Sequence, residues 1–270
     1  MSDPARDAAE LAAVQPLQPA ERSRWRGLVL PAAAVALWWA LSSIDLVNSA
    51  LLVSPGKVLA TAIDQVVSAR LWRALGASLA REATGFGIGT LLGLLLGALL
   101  GLSPLSNRIV GPSFNTFKQI SLFAWIPLIS VWFGLGDVAK VVFLSLAALV
   151  PVVVNTCDGI RTTPPALLEV ARVYGYTRRQ TVTQVVLPAA LPSIFTGIYL
   201  ALIYSWLATI GAEYLLVAGR GIGNTLIEGS EHFQMDLVIF GMFVIGLVGW
   251  SMNAAARAVE RRLARWTGRA

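Results

Sequence analysis

The chain has 270 residues, of which 56% are hydrophobic and only 13% charged, against about 25% charged in a soluble domain. With a mean hydropathy of +0.68 and several apolar runs of about 20 residues, it reads as an all-α, polytopic membrane protein and not as a soluble enzyme. The single Cys157 excludes an internal disulfide and reads as a small buried apolar residue.

In chain order, residues 1–26 are polar, contain Pro4, Pro16 and Pro19, and end in Arg22, Arg24 and Arg26. They read as a disordered tail with positive charge against the membrane, lacking the shape of a cleaved signal. A first span is expected at about 27–44, with Trp25, Trp38 and Trp39 as interfacial anchors. Beyond it, Ser54-Pro55-Gly56 marks a turn, and Val58, Leu59, Ile63, Val66 and Val67 recur at the spacing of a short surface helix.

The second span, about 74–102, carries Gly85, Gly89, Gly93, Gly97 and Gly101, one every fourth residue. That spacing makes a smooth face for close helix packing. Arg81 and Glu82, in its first turns, read as interfacial charges with no functional role. A third span at about 109–134 is opened by Gly111-Pro112 and interrupted by Pro127, which is tolerated where neighbours or water take up the freed backbone groups. Asp137 and Lys140 flank the next turn, and a fourth span at about 139–157 contains Pro151. Fifth and sixth spans are expected at about 191–217 and 237–256, and a basic tail occupies 258–270.

Between spans four and five lies the polar segment 158–190, too polar for a bilayer. One helix begins after Pro164-Pro165, where proline suits a first turn, runs through Glu169, Ala171 and Arg172, and is broken by Gly175. A second runs from a Thr177 cap to Val186 and stops at Leu187-Pro188. Six spans put this hairpin and both termini on one side. The arginines gather there, at Arg108, Arg161, Arg172, Arg178, Arg179 and both tails, so that side is cytoplasmic. The net charge of +6 is thereby a topology signal, and no nucleic acid is expected.

Catalytic chemistry is thin. The chain has no G-x-x-x-x-G-K-[ST] nucleotide loop, and Gly219-Arg220-Gly221 reads as a turn. His232 stands beside Glu231 and near Asp236, a poor metal site. No Ser/His/Asp set or carboxylate pair can be assembled, and no cofactor is expected. Glu213, near the end of the fifth span, reads either as a residue of a transport path or its outer gate, or as a carboxylate paired with Arg220 or capping the chain.

Glu169-Val170-Ala171, three residues, Gly175, nine residues and Val185-Val186-Leu187-Pro188 resemble the EAA signature of the membrane subunits of ATP-binding-cassette (ABC) importers. Val170 stands where alanine is usual. Ala124-Trp125-Ile126-Pro127-Leu128, Trp132-Phe133-Gly134-Leu135-Gly136, the Leu187–Pro192 run, Ala212-Glu213 and the Arg257–Trp266 tail are similar to the permease branch for taurine, alkanesulfonate and nitrate. The likeness covers most of 50–268. An Arg-Pro-x-Pro-Pro run frequent in that branch is replaced here by Phe117-Lys118-Gln119-Ile120-Ser121-Leu122-Phe123.

The resemblance implies a type I ABC importer permease in the bacterial inner membrane, without ATPase activity of its own. It implies a homodimer that forms the pathway for a small anion, two ATPase subunits and a periplasmic binding protein. It places Glu169, Ala171, Gly175, Leu187 and Pro188 at the ATPase-coupling loop, and Glu213, Trp125, Pro127 and Lys118 along the pathway or outer gate. The alternative cargo is another small solute, such as a thiamine-precursor pyrimidine or an aromatic acid. The rival class, a channel or proton-driven carrier, calls for ionisable relays or broken half-helices at mid-membrane, for which the sequence offers only Glu213.

Overall fold

The computed structural model describes residues 26–43, 52–216 and 218–264. Trp25, most of the N-terminal tail and the last residues of the basic tail lie outside them. The unit up to Pro55 contributes α1 (Arg26–Ser42). Its end is closed by the Ser42 and Ser43 hydroxyls, which donate to Trp39 O at 3.0 and 2.8 Å. Trp38 Nε1 donates to Val53 O at 3.0 Å, so this indole serves a backbone carbonyl.

The second unit contains α2 (Pro55–Val67), α3 (Arg70–Leu102), α4 (Pro104–Phe117), a 3₁₀ turn (Leu122–Trp125) and α5 (Ile126–Phe133). It continues with α6 (Asp137–Arg161), α7 (Pro165–Val173), α8 (Arg178–Leu215), α9 (Ile222–Glu231) and α10 (Met235–Ala264). Among the described residues, α3, α6, α8 and α10 are each long and apolar enough to cross a membrane. The apolar part of α1, Val29–Ser42, is shorter than they are.

The expected third span is not one helix. Pro104–Phe117 and Leu122–Phe133 meet at an angle of 92°. Gly111 and Pro112 lie inside α4 and do not open a helix, while Pro127 sits in the first turn of α5 and does not interrupt one. A proline in the first turn gives up an N–H that has no helical partner anyway, so the break falls instead at 118–121. The expectation that broken half-helices are absent therefore fails, and their presence cannot separate a carrier from an importer.

The most extensive helix pair is α3 with α6. Gly85 faces Leu144, Gly89 Ala148, Gly93 Val152, Gly97 Thr156 and Gly101 Ile160. Each step of four on α3 meets a step of four on α6, so the two helices run parallel and in register. A Cβ on Gly93 or Gly97 would stand 2.7 Å from the Cβ of Val152 or Thr156, inside van der Waals contact. The helices touch backbone to side chain, and only glycine permits that separation. Next to this seam, Phe143, Leu144 and Ala147 of α6 pack with Ala208, Ala212 and Leu216 from α8 and its end.

The polar hairpin is rigid for reasons written into its backbone. Pro165 occupies the first turn of α7. At its end the Tyr176 N–H donates to Ala171 O at 2.9 Å and the Gly175 N–H to Arg172 O at 3.0 Å. These are the two bonds of a Schellman cap, with Gly175 at φ +68°. A Cβ on Gly175 would meet nothing within 4 Å, so glycine is needed there for conformation and not for space. Thr177 and Gln180 then form a capping box that starts α8.

α8 does not stop at Leu187-Pro188. Residues Thr181–Val186 form a π-helical turn, in which the Leu187 N–H reaches five residues back to Val182 O. Pro188 offers no N–H and its ring crowds the carbonyl four residues earlier. Widening the preceding turn relieves that crowding without ending the helix. The second arm of the hairpin and the fifth apolar span are thus one rod of 38 residues.

Candidate functional site

Three places carry functional groups. The first is the hairpin surface. Glu169 is exposed at mid-α7, while Ala171 is buried within the hairpin, where α7 packs on the π turn. Around Glu169 stand exposed apolar side chains, with Val173 85% and Tyr174 76% accessible. Leu167, Val170, Tyr174, Tyr176, Gln184 and Pro188 line a shallow groove of about 370 Å³ between α7 and the π turn. Leu187 is half-buried and does not line the groove. A hairpin that bares this much apolar surface beside a carboxylate has the chemistry of an interface, not of a solvated loop.

The second place is a cavity of about 610 Å³ at mid-height of α6 and α8. One wall is the broken segment 118–125, and the others are Leu146 to Asn155 of α6 and Leu200 to Ala208 of α8. The irregular backbone of this segment faces the cavity. Lys118 and Trp125 both line it; Pro127 and Glu213 do not. Phe117 packs on Trp125 with ring centroids 5.2 Å apart.

The third place is a buried polar cluster where α3 and α6 begin and α8 ends. Glu213 is 1% accessible. Its Oε1 accepts from Arg81 Nη2 at 2.6 Å and Ser78 Oγ at 2.7 Å, and its Oε2 accepts the Gly223 N–H at 2.8 Å. It so caps the start of α9, whose N-terminal dipole favours a carboxylate. Arg81 also binds Asp137 at 2.6 Å and donates to the Arg220 carbonyl. Lys140, fully buried, donates to Ala218 O at 2.7 Å. The Ile222 N–H donates to Ser78 Oγ at 3.0 Å.

Several expectations need correction. Arg81 and Glu82 are not interfacial: they are 6% and 1% accessible, because the α3 face that holds them is covered by α6 and α8. Lys140 belongs to the buried cluster and not to an open turn. The cation that meets Glu213 is Arg81; from residue 220 the cluster takes only a backbone carbonyl. Glu82 accepts from Ser205 Oγ at 2.6 Å and Thr209 Oγ1 at 2.7 Å, with no cation in contact. Sequence reasoning missed this pair and the Arg81 cluster alike. The available signal was that two charges of α3 stand three and four residues after Ser78, on the face that continues to Gly85. Among the described residues, no group of His, Cys, Asp and Glu could hold a metal ion, and His232 Nδ1 lies 2.8 Å from the Glu228 carbonyl.

Comparison with known proteins accounts for this layout. Residues 89–268 match the family model "Binding-protein-dependent transport system inner membrane component". The chain is 34% identical, over 91% of its length and 89% of the relative's, to the "Putative aliphatic sulfonates transport permease protein" of Bacillus subtilis (strain 168). It is 30% identical to the taurine transport system permease protein of Escherichia coli (strain K12), with 88% of each chain covered. The fold is similar to that of a chain of the MetNI methionine ABC transporter in an inward-facing form, with a TM-score of 0.62 and 23% identity. That match covers 71% of this chain and 95% of the other. On the span of the family match and relatives aligned over nearly the whole chain, this protein belongs to the family of inner membrane components of binding-protein-dependent transport systems.

Proposed function

We propose that two copies of this chain form the pathway through which an ATP-driven importer carries a small anion, taurine, an aliphatic sulfonate or a nitrate-like ion, across the bacterial inner membrane. Membership of the family brings a separate ATPase and a substrate-binding protein as partners. The observation that carries the coupling part of this reading is the hairpin: exposed Glu169 with Val170, Val173 and Tyr174, on a cap and a π turn continuous with a span. Such an element transmits force, since the Schellman cap and the capping box fix the joint between the partner surface and α8. Glu169, Ala171, Gly175, Leu187 and Pro188 form the docking element, and the ATPase supplies the groove.

In this reading α1 and the bent α4–α5 pair complete six spans. Residues 1–26, 158–190 and 258–270 are cytoplasmic, in accord with their arginines. The Arg81–Glu213 cluster then marks the outer face, where Glu213 holds the outer gate region together without lining the path. The cavity beside Trp125 and Lys118 is the part of the pathway borne by one copy, and Pro127 shapes its wall through α5. ATP-driven closure of the ATPases brings the two hairpins together and tilts α8 as a rigid body.

The test is reconstitution of the permease with its ATPase and binding protein in proteoliposomes. Wild type associates with the ATPase in detergent and imports taurine or butanesulfonate. Val173→Asp, which charges the exposed apolar patch, abolishes association without changing the thermal stability of the permease. Undiminished association, or import without the ATPase, refutes the reading.

A further inference from the structure

Among the described residues, Lys118 is the only charged one in the lining of the mid-height cavity, whose other walls are apolar apart from Ser121, Asn155 and Tyr204. Its ammonium forms no ion pair or hydrogen bond among the described residues. The nearest carboxylate sharing a lining with it is Asp158, in a separate pocket of about 100 Å³ that also holds Arg161. At membrane depth an ionised side chain is expensive, and such residues pair or face a watery path. The Asp64, Asp137, Glu213 and Asp236 carboxylates are already committed to Arg70, Arg81 and Lys57, and Glu82 to two hydroxyls. Asp158 stands outside the cavity's lining and forms no ion pair with Lys118 among the described residues.

We propose that Lys118 is the cargo-contacting residue of the permease: its ammonium receives the anionic head of the solute, while Phe117, Trp125, Val150 and Leu207 flank the apolar stem. The inference rests on reading the cavity as part of the import path. Lys118 is the charge in the cavity's own lining and no acid stands there, so the cavity selects against cations and admits one negative charge. Mostly apolar walls favour an organic anion with an alkyl or aryl portion over a bare, strongly hydrated ion. A lysine suits the task, since its point charge holds a head group without the fixed two-point geometry of arginine, and conduction needs binding weak enough to release. Ser121 and Tyr204 add hydroxyl donors at the rim, on the break and on α8. Lys118 closes α4, its N–H still bonded to Phe114 O at 3.0 Å, and the break that follows supplies Ile120, Ser121 and Phe123 to the same lining.

The experiment uses the complete transporter in proteoliposomes, with uptake of taurine, butanesulfonate and nitrate measured alongside basal ATP hydrolysis and subunit association. Lys118→Gln and Ser121→Asp are each expected to lower sulfonate uptake by at least about tenfold, with association and basal hydrolysis unchanged, and Lys118→Arg to retain most of it. Wild-type uptake by Lys118→Gln overturns the assignment of Lys118 and leaves the import reading standing. Failure of wild type to import any of the three overturns both. An effect of Lys118→Gln confined to vesicles containing phosphatidylglycerol, and absent in pure phosphatidylcholine, assigns the ammonium to a lipid head group and refutes the cargo contact.

Discussion

Arg81 Nη2 stands 2.6 Å from Glu213 Oε1, joining α3 to the end of α8 across 132 residues of sequence. The pair is buried, and both partners have further bonds, from Arg81 to Asp137 and from Ser78 and Gly223 to Glu213. Removing one partner strands the other's charge, which costs about 3–5 kcal/mol for a buried pair. Glu213→Ala and Arg81→Met are each expected to lower the melting temperature markedly, and the Arg81→Met, Glu213→Leu double variant to recover much of the loss. The readout is built in: Cys157 is the single thiol and is buried, so its labelling by a thiol-reactive dye reports unfolding. Additive losses would show that the two residues act independently.

Gly93 and Gly87 lie on the same helix with opposite surroundings. A Cβ at Gly93 meets Val152 at 2.7 Å, whereas one at Gly87 meets nothing within 4 Å. Gly93→Ala is expected to destabilise by about 1–3 kcal/mol through overpacking, and Gly87→Ala to be neutral or to stabilise by up to about 1 kcal/mol, the helix-propensity difference. Thermal unfolding of the two variants side by side checks this, and equal melting points would refute the seam.

The Glu82 carboxylate depends on its hydroxyls. Ser205→Ala and Thr209→Val each remove one donor from a buried acceptor, at about 1–3 kcal/mol apiece. Losses in the two variants exceed that in Thr84→Val, where the hydroxyl donates only to Ala80 O on the helix surface. Melting curves that rank Thr84→Val with the other two would remove the case for a Glu82 site.

Gly175→Ala tests the hairpin's rigidity. An L-residue in the left-handed region costs about 1–2 kcal/mol, yet the space is open, so the spans stay folded. Binding-protein-stimulated ATP hydrolysis is expected to fall by more than the accompanying small drop in melting temperature explains, because the strain is confined to an exposed joint. Gly175→Pro, which also deletes the N–H that donates to Arg172 O, falls further. Full stimulation in both variants would deny the cap a part in coupling.

Much of this fold was legible in the sequence. The glycine ladder was readable because small residues at every fourth position leave no other use for a helix face. The hairpin was readable because Gly175, Thr177 and the flanking prolines each have one strong backbone meaning. Charge pairing was not: Arg81 finds Glu213 only through the antiparallel return of α8, and nothing local distinguishes a buried arginine from an interfacial one. The bend at 118–121 was hidden because Gly111-Pro112 and Pro127 are stronger punctuation than the residues where the chain turns. The central cavity followed it into obscurity, since three separate helices build it.

The π turn at Thr181–Val186 has a further consequence. A single extra residue within a helix advances everything beyond it by about 100° around the axis. The turn therefore sets the phase between the two ends of α8: it decides which azimuth of the span holds Ser205, Thr209 and Glu213 when Tyr176 and Gln184 face the groove. Deleting one residue there would leave an unbroken, well-formed helix whose buried acid-bearing face points the wrong way. The spacing between Gly175 and Pro188 is thus an angular setting as much as a length, and an insertion or deletion within it is read by the bundle as a rotation.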